Sequence, residues 1–345
     1  MKQISNRRKI LLLITCIFFI CLVFILYYTQ VANKKIRIGT GKPGGTYYSY
    51  IQELSEISEG DMVFKSTETA GTVASIRLLQ KGFIDAAIVQ NDLLYSAING
   101  TDYFENENTR DNLNFSAVAG LYTESFQIVT ADKSGIESIE DLKGKRVSVG
   151  EEQSGVILNV SQILTIHGMS FDDFECSYLS FSESSKALAN GEIDAFFCMA
   201  GAPTAAISEC ADSTDIRIIS LTQSDIDKIT NLYPYYVACT IPAGTYNGIT
   251  EDVTTVGVRA VFVVSSRLSD KKVRAITENL IKYSDSLNDN IVTDENLSAG
   301  DAAKGISIPF HPGAASYYSD NGITVPVASG SSGSNLKVIF AGQDR

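Results

Sequence analysis

"LLQKGFIDAAIVQNDL", residues 78–93, is echoed 109 residues later by "ALANGEIDAFFCMAGA", residues 187–202. Each stretch predicts the end of a helix, a glycine, the tripeptide Ile-Asp-Ala, a buried strand and a loop of polar or small residues. Gly82 and Gly191 can adopt the left-handed conformation that ends a helix, and the apolar runs are typical of strands covered on both faces. We therefore interpret the two stretches as equivalent strands of two similar lobes.

The regions around these stretches alternate short apolar runs with helical patterns, which predicts α/β units on largely parallel sheets. The predicted strands are 35–39, 62–68, 84–90, 115–121, 126–131, 146–150, 174–180, 193–199, 216–221 and 254–265, and the predicted helices include 46–58, 72–81, 155–167 and 183–190. SIED (138–141) and SFSE (180–183) resemble capping boxes.

The chain is expected to cross between the lobes near residues 121–130 and 253–266. These crossings predict that the first lobe comprises 36–124 and 255–328 and that the second comprises 125–254. Residues 329–345 are expected to form a flexible C-terminal tail, because SGSSGSN (329–335) has the composition of a linker.

The first 35 residues differ from the rest. Basic side chains at positions 2 and 7–9 precede 19 residues without a charge, 10–28, which is close to the length of a membrane helix. An uncleaved signal anchor is favoured, while a cleaved signal peptide and a lipid-anchored form remain open. Each alternative places the remainder outside the cytoplasm, either tethered to the outer face of the membrane or secreted.

Charge and cysteine usage narrow the class of protein. Residues 1–35 hold six of the 28 Lys and Arg and none of the 40 Asp and Glu, which leaves 22 basic against 40 acidic side chains, a net −18, in the remainder. Such a domain repels nucleic acid and anionic lipid. The soluble part has four cysteines without a C-x-x-C pair, and two histidines, so a metal site is not expected. One disulfide remains open, with buried free thiols favoured: Cys176, Cys198, Cys210 and Cys239.

Loops at the predicted carboxyl ends of strands are rich in Gly, Ser, Thr, Tyr and amides: 40–49, 66–75, 89–94, 121–125, 150–156 and 198–203. Ligands of open α/β sheets bind at this edge, where helix N-termini offer free N–H groups and partial positive charge. Such a cleft can hold a carboxylate without a salt bridge. Thr46, Thr72 and Ser154 are candidate hydroxyl ligands, or else simple N-caps.

The sequence contains only weak matches to motifs that are typical of enzymes. Gly39, Gly41 and Gly44 fit the dinucleotide pattern G-x-G-x-x-G, and Glu68 stands near the end of the next strand. However, Pro43 and the following Thr-Tyr-Tyr do not suit close approach of a pyrophosphate, and a lone glycine pattern is weak evidence. No nucleophile elbow is present. We therefore expect neither catalysis nor a cofactor.

Five blocks of sequence, in order, resemble the TAXI proteins (TRAP-associated extracytoplasmic immunogenic proteins). These are the solute-binding components of one class of tripartite ATP-independent periplasmic (TRAP) transporters. The blocks are IGTGKPGGTYYSYIQEL (38–54), TETAGTVASIRLLQKGFIDAAIVQNDL (67–93), SGIESIEDLKGKRVSVGEEQSGV (134–156), GEIDAFFCMAGAP (191–203) and IPFHPGAASYYSDNG (308–322). The second block departs from the family, since Thr72 replaces a serine and Ala74-Ser75 replace a Glu-Asn pair.

The resemblance implies an α/β, two-lobed type II periplasmic-binding-protein fold with a hinge, in a monomer. It also implies a small carboxylate ligand, such as glutamate, glutamine or a related organic acid, and a membrane-embedded TRAP permease as partner. The family's ligand-contacting positions fall on Thr46, Tyr47, Thr69, Gly71, Thr72, Gln90, Asp92, Tyr122, Ser154 and Gly155. The alternative is an anchored extracellular sensing domain that serves a receptor.

Overall fold

The computed structural model describes residues 13–23, 35–58, 62–107, 109, 113–291 and 297–328. The predicted anchor segment, 1–35, lies mostly outside these ranges, apart from a helix over 13–23 (α1), and the predicted tail, 329–345, lies wholly outside them. In the described ranges, no helix combines the length and the apolar character that a membrane crossing requires.

The strands and helices follow the predicted alternation closely. The strands are β1 (Lys35–Gly39), β2 (Val63–Thr67), β3 (Ala86–Gln90), β4 (Phe115–Ala131), β5 (Arg146–Ser148), β6 (Glu175–Ser177), β7 (Ala195–Ala200), β8 (Ile216–Ile218), β9 (Val237–Ile241) and β10 (Val253–Ser265). The helices after α1 are α2 (Thr46–Ile57), α3 (Thr72–Lys81), α4 (Asn91–Asn99), α5 (Val156–Ile166), α6 (Phe181–Ala189), α7 (Ala205–Ser213), α8 (Gln223–Leu232), α9 (Asp270–Lys282), α10 (Ser284–Ile291), α11 (Ala299–Ala302) and α12 (Pro312–Asp320).

The sheet contains the same unit twice. Its strand order is β2-β1-β3-β10-β4-β7-β5-β6, with β8 beside β4 and β9 beside β10. β1 pairs in parallel with β2 and β3, and β5 pairs in parallel with β6 and β7. β10 closes the first unit against β3, and β4 closes the second against β7, both in the antiparallel sense. The two long strands β4 and β10 also pair with each other and so serve both units.

Separate hydrophobic cores surround the two units. The first core includes Ile38 and Phe262, and the second includes Ile163 and Phe197, with a further cluster on the other face of its sheet. We call the parts that pack around them the first lobe and the second lobe. The structure confirms the predicted two-lobed α/β fold.

Both long strands change lobe near their middle. β4 leaves the first core at Tyr122 and enters the second at Phe126. β10 leaves the second core at Val258 and enters the first at Ala260. The predicted division at 124/125 and 254/255 stays a prediction, although Val258, which it assigns to the first lobe, packs into the second core.

An ion pair occupies the same place in both lobes. Asp85 accepts three hydrogen bonds from Arg37. The backbone N (3.0 Å) and Nε (2.8 Å) of Arg37 donate to one carboxylate oxygen, and Nη2 (2.9 Å) donates to the other. Asp194 accepts the same three bonds from Arg146, at 2.9, 3.1 and 2.6 Å. In each lobe the pair joins the central strand to the start of its neighbour, so the contacts confirm that the two Ile-Asp-Ala stretches are equivalent.

Two strand predictions need correction. Residues 115–121 and 126–131 form one strand, β4, because the intervening backbone stays paired with β10, with Thr123 opposite Arg259 and Ser125 opposite Gly257. β9 was not predicted, because most of its side chains are exposed and its sequence VACTI lacks a clear alternation of apolar and polar residues.

One of the two predicted capping boxes is correct. Ser180 and Glu183 form a capping box at the start of α6. The prediction at SIED is wrong, because the short 3-10 helix there, Glu140–Leu142, has Ile139 as its N-cap. Asp141 instead accepts hydrogen bonds from the backbone N of Glu137 and of Ser138 and from the Ser138 hydroxyl, which closes a turn before the helix.

Four cysteines beyond the predicted anchor are free thiols, as the sequence favoured: Cys176, Cys198, Cys210 and Cys239. Cys198 and Cys210 are buried, and burial raises the pKa of both thiols. Among the described residues, no group of three or more His, Cys, Asp or Glu side chains could hold a metal ion.

Candidate ligand-binding site between the lobes

A cavity of about 70 Å³ lies between the lobes, at the carboxyl ends of the strands. One water molecule needs roughly 10–15 Å³ of such space, so the cavity suits a small molecule rather than a peptide. The N-termini of α2, α3 and α4 reach it from the first lobe, and those of α5 and α6 from the second. Its wall contains Thr40, Gly41, Lys42, Pro43, Gly45, Thr46, Tyr47, Ala70, Gly71, Thr72, Gln90, Glu124, Glu151, Ser154, Gly155, Val156, Leu179, Ser180, Phe181, Met199 and Ala200.

Three buried polar atoms in this wall lack a partner. The Tyr47 hydroxyl, Glu124 Oε1 and Ser154 Oγ make no hydrogen bond within the described part of the chain. A buried polar group without a hydrogen bond costs free energy, and native proteins rarely leave one unexplained. The three atoms therefore indicate a ligand that supplies both donors and acceptors.

Glu124 is the most unusual of the wall residues. It lies on β4, where that strand passes between the lobes, and is only 1% exposed. Burial raises the pKa of its carboxyl group well above the ordinary value, and the nearby Tyr47 hydroxyl offsets part of that rise. Burial, followed by the charge of Glu124, likewise raises the pKa of Tyr47.

The three candidate hydroxyls are not N-caps. The N-caps of α2, α3 and α5 are Gly45, Gly71 and Gly155, none of which forms a side-chain cap bond. The Thr46 hydroxyl donates to the carbonyl of Gly201 in the other lobe at 3.0 Å. The Thr72 hydroxyl accepts from the backbone N of Gln90 at 3.2 Å. The N-cap interpretation of Thr46, Thr72 and Ser154 is therefore wrong.

Glycines let the lobes approach each other beside the cavity. Gly71 has φ +121°, a conformation that side-chain-bearing residues rarely adopt, and a Cβ there would lie 3.0 Å from the Cα of Ser154. A Cβ on Gly155 would overlap the side-chain amide of Gln90. At Gly71 the positive φ requires glycine, and at Gly155 a side chain would have to displace the amide of Gln90 before the helix N-termini of the two lobes could meet at this distance.

Contacts across the cavity mouth hold the lobes together. Lys42 of the first lobe forms an ion pair with Glu151 of the second at 2.5 Å. The Ser182 hydroxyl donates to the carbonyl of Pro43 at 3.2 Å, and the backbone N of Ala206 donates to the carbonyl of Gly44 at 3.2 Å. The structure therefore has the lobes closed over the cavity.

A chain of buried hydrogen bonds also joins the lobes behind the cavity. Asn159 of α5 donates to Asp92 at 2.7 Å and to the Tyr236 hydroxyl at 2.7 Å, and it accepts from Gln90 at 2.9 Å. Asp92 and Gln90 belong to the first lobe, whereas Asn159 and Tyr236 belong to the second. We call the connected side chains the Asn159 network: Gln90, Asp92, Asn159, Gln162, Tyr235 and Tyr236.

The titration of Asp92 in the Asn159 network should make the free energy of unfolding depend on pH. Burial raises the pKa of Asp92 from 3.8 to about 6. The folded protein then holds this proton more tightly than the unfolded chain does, so the stability contributed by Asp92 falls as the pH rises from 4 to 6, by up to about 3 kcal/mol. Relative to an Asp92→Asn variant, which does not titrate, the wild type should lose stability over this range in urea unfolding. The exposed Asp227→Asn variant is the control. A wild type whose free energy of unfolding stayed constant or rose relative to that of Asp92→Asn between pH 4 and pH 6 would contradict the expectation.

The structure brings together seven of the ten residues that the resemblance singled out. Thr46, Tyr47, Gly71, Thr72, Gln90, Ser154 and Gly155 all line the cavity. Thr69 lies behind it and accepts from the backbone N of Gly41 at 3.2 Å. Asp92 is in the Asn159 network, and Tyr122 packs its ring on Tyr50, with 5.7 Å between the centroids. That any of the ten contacts a ligand stays a prediction.

Sequence reasoning missed Glu124 and the apolar part of the wall. Glu124 is the only charged residue among the 17 of β4, and this isolation in an apolar run was a usable signal. Phe181 and Met199 carried no such signal, because apolar residues at a helix start and in a buried strand are ordinary core residues.

Comparison with known proteins places the chain in a family. Similar solved structures include the alkanesulfonate-binding protein SsuA from Xanthomonas axonopodis bound to MOPS (18% identity, 74% of this chain and 75% of that one, TM-score 0.47). Another is the periplasmic aliphatic sulphonate binding protein SsuA from Escherichia coli (17% identity, 83% of this chain and 83% of that one, TM-score 0.45). A third is the amino acid ABC transporter substrate-binding protein AbpA from Streptococcus pneumoniae bound to L-arginine (12% identity, 76% of this chain and 94% of that one, TM-score 0.43). The model of the NMT1-like family matches residues 38–322. The chain belongs to the NMT1-like family.

Proposed function

We propose that the protein is an extracytoplasmic solute-binding protein that captures a small carboxylate between its lobes and delivers it to a TRAP permease. The observation that carries the proposal is the interlobe cavity, where five helix N-termini converge on buried polar atoms that lack partners. The resemblance of five sequence blocks to the TAXI proteins supports the transporter class. A glutamate-like or glutamine-like acid suits the size of the cavity.

The helix N-termini would hold the carboxylate of the ligand. Backbone N–H groups in the first turn of a helix have no partner within the helix, and the helix dipole adds a partial positive charge. Gly71 and Gly155 bring two such N-termini together from opposite lobes. The carboxylate therefore needs no arginine, and the wall contains none.

Closure of the two lobes around the ligand would couple ligand binding to delivery of the ligand to the permease. β4 and β10 are the two strands that pass between the lobes, so bending at Tyr122–Phe126 and Val258–Ala260 would open the cavity. A ligand that contacts both lobes stabilises the closed form, which then presents one continuous surface to the permease. In small-angle scattering, we expect the radius of gyration to fall when ligand is added, and an unchanged radius would contradict the hinge.

The proposal includes no catalytic step. His311 is the N-cap of α12, where its Nδ1 accepts from the backbone N of Gly313 at 3.2 Å. His167 contacts Glu140 at 2.7 Å on the outer side of α5. Both histidines have structural partners away from the cavity.

Thermal unfolding of the full chain against amino acids, dicarboxylates, keto acids and nicotinamide cofactors tests the ligand class. A ligand at 100 times its Kd stabilises the folded state by about 2.7 kcal/mol, so a true ligand should raise Tm by several degrees. A shift with small carboxylates supports the proposal, whereas a shift with none of them contradicts it. Genes for TRAP membrane subunits beside this one would support the transporter role, and a receptor gene there would favour the sensor.

A further inference from the structure

A group of basic and apolar side chains is exposed at the amino ends of the parallel strands of the first lobe, opposite the cavity. At its centre is the ion pair between Arg37 of β1 and Asp85, which immediately precedes β3. β1 and β2 are paired here, with Lys35 opposite Val63 and Arg37 opposite Lys65. We call the exposed side chains around this ion pair the basic face: Lys35, Val63, Lys65, Lys81, Phe83 and Arg267.

Hydrogen bonds bring the more distant members of the basic face to the same place. The Nη2 of Arg267 donates to the carbonyl of Gly82 at 3.0 Å, which puts this guanidinium beside Lys81 and Phe83. The backbone N of Asp85 donates to β1 at 2.9 Å, so the turn that carries them lies against that strand. The basic face is therefore one continuous surface.

Two of its six side chains are large and apolar. Phe83 is 61% exposed and Val63 is 48% exposed. A single exposed apolar side chain is ordinary on a protein surface. Apolar side chains together with several Lys and Arg, however, are the combination with which proteins bind the interface of a membrane. The composition of the basic face thus indicates a contact with lipid.

The second lobe has the same architecture without this composition. β5 and β6 pair in the register of β1 and β2, with Arg146 equivalent to Arg37, and the Ile-Asp-Ala motif follows in both lobes. The positions equivalent to Val63, Lys65, Lys81 and Phe83 hold, in the same order, Asp173, Glu175, Asn190 and Glu192. The fold therefore does not require the basic and apolar side chains of the first lobe, which suggests that they serve an interaction.

Charge complementarity favours anionic phospholipid as the partner. The chain as a whole is acidic, with net charge −12, but charges more than about 10 Å apart are largely screened at an ionic strength of 0.1 M. The four nearby cations therefore attract anionic headgroups, and the acyl chains accept apolar side chains. The predicted anchor would also hold this face near a bilayer, because residues 29–34, between 10–28 and β1, span at most about 20 Å.

We propose that the basic face is a second membrane contact of this protein, which binds anionic phospholipid headgroups through its four cations and inserts Phe83 among the upper parts of the acyl chains. The cavity lies at the opposite ends of the same strands, so it stays accessible to solutes while the basic face lies on lipid. A contact made by a few cations is reversible, and the lobe can leave the lipid before it docks on a permease.

Tryptophan fluorescence of a Phe83→Trp variant tests the contact. The chain contains no Trp, so the variant has a single tryptophan, and lipids brominated in their acyl chains quench it only on close contact. In vesicles of brominated phosphatidylcholine and phosphatidylglycerol that contain the full chain, we expect about twofold quenching or more, and little quenching without phosphatidylglycerol. Glu192→Trp, at the equivalent position of the second lobe, is the matched control and should not be quenched.

Charge reversal separates this contact from any contact of residues 10–28. Addition of Lys65→Glu and Lys81→Glu to the Phe83→Trp chain leaves that segment unchanged and alters only exposed positions. Because each cation at an anionic surface contributes roughly fivefold to affinity, we expect the quenching to fall to the level of Glu192→Trp. Sodium chloride at about 1 M should have the same effect, since it shortens the Debye length to about 3 Å.

Three results would overturn the inference. The first is equal quenching with and without phosphatidylglycerol, which would mean that the cations do not select the lipid. The second is equal quenching of Phe83→Trp and Glu192→Trp, which would mean that the first lobe has no preferred face. The third is no quenching of Phe83→Trp in any vesicle, which would leave the basic face to an acidic protein partner.

Discussion

Replacement of Asn159 with alanine is expected to lower the free energy of unfolding by about 3–5 kcal/mol at pH 7. Asn159 donates to the buried Asp92 and accepts from Gln90, and it also donates to Tyr236. Because the pKa of Asp92 is about 6, this carboxyl group is mostly ionised at pH 7. Loss of the amide would leave a buried charge and two further polar groups without partners.

Urea unfolding of Asn159→Ala beside wild type measures this loss. Asn247→Ala is the matched control, because Asn247 is exposed and its one described side-chain contact, with Asp212, is long at 3.5 Å. The Asn159→Ala loss should be smaller at pH 5, where Asp92 is mostly protonated and no charge is stranded. If the two variants lost equal stability, the Asn159 network would not be the main polar link between the lobes.

Replacement of Gly155 with alanine is expected to reduce ligand affinity about 10- to 100-fold. The new Cβ would overlap the side-chain amide of Gln90 in the closed arrangement. Overpacking of this kind costs roughly 1–3 kcal/mol. Because Gly155 and Gln90 belong to different lobes, the overlap destabilises the closed form relative to the open form. An open form relieves the overlap, so the substitution shifts the population away from the binding-competent state.

Gly300→Ala is the control for this substitution. Gly300 lies in α11, where a Cβ would meet only the Ser298 hydroxyl, at an ordinary 3.6 Å. Calorimetry should find wild-type affinity for Gly300→Ala and weak binding for Gly155→Ala. Small-angle scattering should show that Gly155→Ala stays expanded at ligand concentrations that compact the wild type. Unchanged affinity in Gly155→Ala would mean that ligand binding does not require this closed arrangement.

Much of the architecture could be predicted because it depends on local pattern. Gly82 and Gly191 have φ of +75° and +71° at the ends of α3 and α6, as the repeated motif indicated. Asp85 and Asp194 immediately precede the equivalent strands β3 and β7, and their ion pairs with Arg37 and Arg146 show why an acid stands at each strand entry. Runs of apolar residues predict the strands, and glycines that end helices predict the helix boundaries, and both kinds of signal lie within about 15 residues of sequence.

The details of the site depend on contacts that no local pattern records. Asn159 lies 67 residues from Asp92 and 77 from Tyr236, and nothing near it in sequence marks a link between lobes. The hydroxyl of Thr46 stands one position after its N-cap and instead reaches Gly201, 155 residues away. Sequence reasoning located the loops correctly but could not determine which side chains face the cavity and which lie behind it.

The path of β4 and β10 determines the order in which the lobes can be completed during synthesis. The second lobe lies on one uninterrupted stretch between Phe126 and Val258. The first lobe needs β10, whose Val261 pairs with Val89 of β3, so its sheet waits for more than 170 further residues. Until the ribosome has produced those residues, the buried apolar strand β3 has an unpaired edge, and such edges bind other chains. The segment from β1 to β3, which is translated first, is therefore among the last to complete its sheet and is the one that needs protection from aggregation.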